Sequence, residues 1–151
     1  MSARQRIFAS QAHPGGNCEL WSHRQVTPHH LRKRILVVDD YAPAAEALAI
    51  ALGFEGYDVH FVFGGSQALD MLKSWTPDVI VLDIDMPAPN GFQTADSIRH
   101  TPKIHDMAII AFTGQPADLV EEKGTGSGID AYCRKGEPLT CLLSTIENIL
   151  A

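Results

Sequence analysis

The sequence has no apolar run long enough to cross a membrane, because its longest apolar runs have only the length of buried strands. A membrane-spanning helix needs about 20 consecutive apolar residues. The beginning of the chain also lacks the apolar core of a signal peptide, which argues against secretion. We therefore expect no membrane insertion and a cytoplasmic location.

Cysteine is scarce. The three cysteines, Cys18, Cys133 and Cys141, are spaced neither like a metal site nor like a disulfide framework. In a cytoplasmic protein such thiols are usually reduced. We therefore expect three free cysteines, with Cys133 and Cys141 packed against the predicted sheet.

Basic residues are scarce in most of the chain. Residues 1–34 hold six of the twelve Lys and Arg and one acidic residue, a net charge of +5, which leaves six basic and seventeen acidic residues, a net of −11, for the remainder. The acidic body would repel a phosphate backbone, so nucleic acid is not an expected partner. Residues 1–33 have few periodic apolar positions and contain Pro14-Gly15-Gly16. They are predicted to be a disordered or extended basic arm, either solvated or touching an acidic partner, before an ordered domain at 34–151.

Five strand-length segments, four of them apolar runs, alternate with stretches of helical periodicity. They predict strands at 34–39, 57–63, 78–83, 107–112 and 129–134. Helices are predicted at 42–55, around Leu69, Met71 and Leu72, and at 91–100, 116–123 and 138–150. Glycines at 124, 126 and 128 should make the fourth helix short or frayed. Strict alternation predicts an α/β fold, a doubly wound five-stranded parallel sheet of order 2-1-3-4-5 with helices on both faces.

Polar residues follow four of these runs directly. Asp39 and Asp40 follow the first run, Asp83 follows the third, Thr113 the fourth and Lys135 the fifth. Ligands of an open α/β sheet bind beyond the carboxyl ends of the strands, and in this strand order they enter between the first and third strands. These side chains should therefore meet at one edge of the sheet.

Such a group of side chains has the chemistry of a cation and phosphoryl site. Three carboxylates repel one another, and a divalent cation removes that repulsion. Oxygen ligands with room for water and a phosphoryl oxygen suit Mg²⁺. Taken singly, Asp40 fits a helix cap, Thr113 a turn hydroxyl and Lys135 a surface charge. Their coincidence at the strand ends favours a site.

Four segments carry a more specific pattern: Ile35-Leu36-Val37-Val38-Asp39-Asp40, Asp83-Ile84-Asp85-Met86-Pro87 with Gly91, Phe112-Thr113-Gly114, and Tyr132-Cys133-Arg134-Lys135. On these segments, residues from about 33 to 151 resemble the response-regulator receiver domain, the CheY-like phosphoacceptor module of two-component signalling. The resemblance implies that Asp83 accepts a phosphoryl group from a histidine kinase or a histidine phosphotransfer protein, as in a phosphorelay. It implies no enzymatic activity beyond phosphorylation and dephosphorylation of the domain itself.

The resemblance also implies a role for each matching residue. Asp39, Asp40, Asp83 and the backbone carbonyl of Asp85 would arrange Mg²⁺. Thr113 would hydrogen-bond one phosphoryl oxygen.

Lys135 would pair with another phosphoryl oxygen, and Tyr132 resembles the aromatic switch that turns inward when Thr113 moves. One position departs from the family pattern, since Gly136 follows Lys135 where the family usually has proline after a cis bond. A cis bond before a non-proline residue costs about 2.5–4 kcal/mol, so the cis and trans forms both remain open.

The chain ends one helix after the fifth predicted strand, so we expect either a stand-alone receiver or a receiver that is one piece of a larger hybrid protein. Its output would be a protein docked on the fourth helix, the fifth strand and the fifth helix. Two alternatives remain. Asp83-Ile84-Asp85 after an apolar strand also resembles the nucleophile motif of haloacid-dehalogenase phosphohydrolases, although that family carries it on its first strand. The other alternative is a receiver fold that binds partners without being phosphorylated.

Overall fold

The computed structural model describes residues 18–150, which form one sheet with helices on both faces. The strands are β1 Cys18–Leu20, β2 Arg34–Val38, β3 Asp58–Val62, β4 Val79–Leu82, β5 Ala108–Thr113 and β6 Ala131–Arg134. The helices are α1 Ala42–Phe54, α2 Gly65–Met71, α3 Gly91–Arg99, α4 Ala117–Gly126 and α5 Leu139–Ile149. No helix within these residues is both long and apolar enough for a membrane span.

The five predicted strands are confirmed, and so is their arrangement. Across the sheet the order is β1-β6-β5-β4-β2-β3, and every neighbouring pair from β3 to β6 is parallel. All four residues of β4 are buried, as expected for a parallel strand covered on both faces. The doubly wound order therefore places the ends of β2 and β4 side by side.

Alternate residues of the central strands feed two apolar layers. One layer packs against α1 and α5 and includes Ile35, Val37, Val79, Val81, Leu142 and Ile146. The other packs against α2 and α3 and includes Leu36, Val38, Ile80, Leu82, Ala68 and Ile98. Because side chains alternate between faces with a period of two, each strand contributes to both layers. These layers hold the carboxyl ends of the strands at a common edge.

A sixth strand, β1, is the main departure from the predicted sheet. It pairs antiparallel with β6, and Cys18 lies opposite Cys133 in the register. The predicted arm, residues 1–33, includes β1, so this part of the arm belongs to the sheet. Residues 1–17 and 151 lie outside the described residues, and the boundary between arm and domain stays a prediction.

A disulfide joins Cys18 of β1 to Cys141 of α5, so the expectation of reduced thiols is wrong for these two residues. Their Cα atoms are 6.3 Å apart, within the usual range for a disulfide. Cys133 is a free, buried thiol. Spacing could not reveal the pair, because 123 positions separate the two cysteines.

The fourth helix is longer than the glycines around its end predict. It continues to Gly126, beyond the expected end at residue 123. Gly124 is buried, and a Cβ at this position would lie 2.4 Å from Cζ3 of Trp21. The glycine therefore makes room for a packed tryptophan ring, and tertiary contact outweighs its low helix propensity. The helix ends before Gly128, whose φ of +86° suits glycine.

Candidate functional site

Three aspartates meet at the carboxyl edge of the sheet. Asp39 follows β2 and Asp83 follows β4, and these strands are neighbours. Together with Asp40, they offer carboxylate oxygens that all lie within 4.8 Å of one another. Asp39 and Asp83 are buried, whereas Asp40 is exposed. This oxygen-only donor set, open on one side, fits a hard divalent cation such as Mg²⁺.

Lys135, in the loop between β6 and α5, completes this group. Its Nζ donates to Asp39 Oδ2 at 2.8 Å and lies 3.5 Å from Asp83 Oδ1. The bond from Lys135 to Gly136 is trans, and Gly136 has a φ of +92°. A glycine turn thus brings the lysine to the carboxylates without a cis bond. We call Asp39, Asp40, Asp83 and Lys135 the acidic site.

The pKa values of Asp83 and Lys135 are both raised in this site, but for different reasons. Burial raises the pKa of Asp83 to about 7; Lys135 opposes that shift and the charge of Asp39 adds to it. Burial alone would lower the pKa of Lys135, but its hydrogen bond to Asp39 and the charge of Asp83 raise it overall. Near neutral pH, Asp83 is therefore the carboxyl poised to exchange a proton for a cation.

Thr113 and Asp85 form a second group beside the acidic site. Thr113 ends β5 and is fully buried, and its Oγ1 donates to Asp85 Oδ2 at 3.1 Å. Gln115 contacts both residues: its Nε2 donates to Asp85 Oδ1 at 2.5 Å and its backbone N–H donates to Thr113 Oγ1 at 3.2 Å. The backbone N–H of Asp85 donates to Asp83 Oδ1 at 3.2 Å, which connects the two groups.

Tyr132, the predicted switch, lies fully buried in β6. Its hydroxyl donates to the backbone carbonyl of Gln115 at 2.5 Å. On its other side the ring of Trp21 stacks on it, with ring centroids 5.5 Å apart and an interplanar angle of 15°. The hydroxyl contact links Tyr132 to Thr113 through Gln115.

The structure thus brings together four of the predicted site residues: Asp39, Asp40, Asp83 and Lys135. Thr113 and Tyr132 connect to them through Asp85 and Gln115 rather than by a hydrogen bond of their own to these four. Their roles, and that of the Asp85 carbonyl, stay predictions. Sequence reasoning missed Trp21, and the only signal was a large apolar residue soon after a cysteine.

Comparison with known proteins identifies the family. The family model described as the response regulator receiver domain matches residues 35–147. The chemotaxis protein CheY4 of Vibrio cholerae superposes with a TM-score of 0.75 at 24% identity, over 79% of this chain and 99% of that one. Since these chains are so distantly related, that likeness supports the fold alone.

Two further structures agree. The CheY-like response regulator receiver domain protein from Methanospirillum hungatei JF-1 has a TM-score of 0.69 and 26% identity, covering 77% of this chain and 91% of that one. The signal receiver domain of a signal transduction histidine kinase from Syntrophus aciditrophicus has a TM-score of 0.72 and 25% identity, covering 78% and 89%. Given the family match across residues 35–147, this chain belongs to the response regulator receiver domain family of two-component signalling.

Proposed function

We propose that this receiver domain takes a phosphoryl group onto Asp83 from a phosphohistidine of a histidine kinase or phosphotransfer protein. The observation that carries the proposal is the acidic site, whose three aspartates lie within 4.8 Å of one another with Lys135 bonded to one of them. An Asp83 oxygen attacks phosphorus, the P–N bond of the donor breaks, and its electron pair stays on the imidazole nitrogen.

Asp39, Asp40 and Asp83 would hold Mg²⁺, with the backbone carbonyl of Asp85 as a further ligand by family resemblance. The bound ion supplies positive charge that screens the carboxylate from the anionic donor. Lys135 supplies the second positive charge, and its Nζ already lies 3.5 Å from Asp83 Oδ1. It can therefore pair with an oxygen of the new phosphoryl group after only a small movement.

The hydrogen bonds around Thr113 give the modification a route to the surface. Its hydroxyl now donates to Asp85, and on phosphorylation it would donate to a phosphoryl oxygen instead. This exchange releases the Asp85 carboxylate and disturbs Gln115, whose carbonyl accepts from Tyr132. The readout would be altered binding of a target protein on the surface formed by α4, β6 and α5. We place this signalling in the cytoplasm, with no nucleic acid as a partner.

The test is phosphorylation in the presence of acetyl phosphate and Mg²⁺, followed by intact-mass measurement. The unmodified chain should gain the mass of one phosphoryl group, and chelation of the cation should abolish the gain. Asp83→Asn should show no gain. Asp70→Asn is the matched control, because Asp70 lies on α2 and is paired with Lys73, and it should behave like the unmodified chain.

Two results would contradict the proposal. Repeated turnover of a small phosphate ester would indicate a phosphohydrolase instead. Absence of any mass gain, together with no spectral response to beryllofluoride and Mg²⁺, would indicate a module that works without phosphorylation.

A further inference from the structure

We propose that the disulfide between Cys18 and Cys141 is a reversible redox site that holds residues 18–22, which we call the β1 segment, against Tyr132. In the oxidised chain the segment covers the free edge of β6 and keeps Tyr132 inward. Reduction by a dithiol releases the segment and opens the α4–β6–α5 surface. The coupling to signalling and the cytoplasmic setting of the redox chemistry rest on the proposed function, but the movement of the segment on reduction does not.

The β1 segment covers an edge that the receiver fold otherwise leaves open. Without β1, the outer side of β6 would present unpaired backbone groups, which favour pairing with another strand. β1 pairs with this side from Cys18 opposite Cys133 to Leu20 opposite Ala131. Any partner that reaches β6 from this edge must displace the segment first.

Trp21 fixes the position of Tyr132 from the same segment. Its ring stacks on Tyr132 and also fills the space where Gly124 of α4 lacks a Cβ. Its backbone N–H donates to the carbonyl of Asp130 at 2.7 Å, and its Nε1 donates to Glu19 at 3.0 Å. Tyr132 therefore cannot turn toward solvent on this side unless Trp21 moves.

The two ends of the segment are anchored differently. Beyond Trp21, the buried carboxylate of Asp130 accepts from Ser22 Oγ at 2.7 Å and from Arg24 Nε at 3.0 Å, and it also binds Arg99. This network contains no redox-active group. At the other end, the disulfide to Cys141 ties β1 to α5. Because a three-residue strand is only marginally stable, loss of the disulfide should free that end first.

The redox chemistry is thiol–disulfide exchange. A thiolate of the reducing dithiol attacks one sulfur of the disulfide, and its second thiol resolves the mixed disulfide. Two electrons and two protons pass to Cys18 and Cys141, and the reductant becomes a disulfide. A disulfide in a cytoplasmic protein is usually transient and redox-sensing rather than structural. Cys133 takes no part, since it is buried and its thiol donates to Thr145.

The first measurement counts accessible thiols in the full chain. Without reductant, iodoacetamide should add nothing to the folded protein. After treatment with dithiothreitol, it should add two groups, at Cys18 and Cys141. Burial raises the pKa of Cys133 to about 12, so this thiol should react only after unfolding and serves as an internal control. Two or more adducts on the untreated folded chain would overturn the proposal.

The second measurement is hydrogen exchange of the same two samples. Reduction should speed amide exchange about tenfold or more in peptides covering 18–22 and 131–134, whereas β4 should remain much slower than these peptides in both samples because its amides exchange only when the whole domain unfolds. Cys18→Ser should show the fast exchange in either condition. The proposal is wrong if verified reduction leaves exchange in 18–22 unchanged, or if dithiothreitol still alters the Cys18→Ser chain.

A third measurement tests the coupling to Tyr132. In a Trp75→Phe chain, Trp21 is the single tryptophan, so its emission reports stacking on Tyr132. Beryllofluoride with Mg²⁺ should change that emission at least twice as much in the reduced chain as in the oxidised chain. Equal changes would refute the coupling. Absence of any response, with the exchange result intact, would refute the proposed phosphorylation switch and leave the redox-controlled movement standing.

Discussion

The acidic site and the β1 segment are held together by opposite means. The acidic site gathers buried like charges, and a single lysine offsets them. The β1 segment is held by strand pairing, ring stacking and a covalent bond. The first arrangement lowers the stability of the cation-free fold, and the second raises it. The two regions therefore contribute to folding stability with opposite signs.

Removing the disulfide should give the largest change in stability of the variants considered for these two regions. Cys18 and Cys141 are 123 positions apart, so the bond restricts a long loop of the unfolded chain. Reduction should lower the free energy of unfolding by about 2–4 kcal/mol. Urea unfolding with and without dithiothreitol measures this, and the Cys18→Ser chain controls for effects of the reductant itself. Equal unfolding midpoints would show that the disulfide adds no stability.

Neutralising Asp83 should instead raise the free energy of unfolding. Because burial raises its pKa, ionised Asp83 destabilises the cation-free fold, and Asp83→Asn should stabilise it by about 1–3 kcal/mol near neutral pH. Asp39→Asn is the matched comparison, and it should not stabilise the chain, because it weakens the 2.8 Å contact with Lys135. Thermal unfolding in a chelating buffer measures both. A less stable Asp83→Asn chain would mean that the ionised Asp83 carboxylate does not destabilise the fold.

The stability of the cation-free chain should also depend on pH, because the pKa of Asp83 is raised. The pKa of Asp83 is about 7 in the folded chain against 3.8 as its ordinary value, so between these pH values the folded state binds more protons. Stability should therefore fall as pH rises from about 4 to 7. Mg²⁺ affinity should rise about tenfold per pH unit up to the same point and then level off. Titrations at several pH values measure this affinity, and a flat profile contradicts the raised pKa.

The smallest expected change in stability comes from the packing of Trp21 against α4, which can be tested while the disulfide stays intact. Gly124→Ala should push the Trp21 ring away and lower stability by about 1 kcal/mol despite a better helix propensity. Gly126 is the matched control, since a Cβ there meets nothing within 4 Å. Gly126→Ala should leave stability unchanged or raise it by a few tenths of a kcal/mol. If both variants behave alike in urea unfolding, Trp21 does not pack against α4.

The two regions also differ in how far the sequence reveals them. Apolar runs marked β2, β4, β5 and β6, and the polar residues at their ends marked the acidic site, because parallel strands place their carboxyl ends together. The β1 strand is too short for a periodic signal, and its contacts with Tyr132 and Cys141 span more than 100 positions. The sequence also could not predict the trans bond after Lys135, because glycine adopts backbone conformations that other residues rarely do.

The most direct test of the acidic site is to locate the phosphoryl group by peptide mass spectrometry after incubation with acetyl phosphate and Mg²⁺. The account predicts one phosphoryl group on Asp83 and none elsewhere, with the modification lost when the cation is chelated. A group carried by another residue, or full modification without any divalent cation, would contradict it.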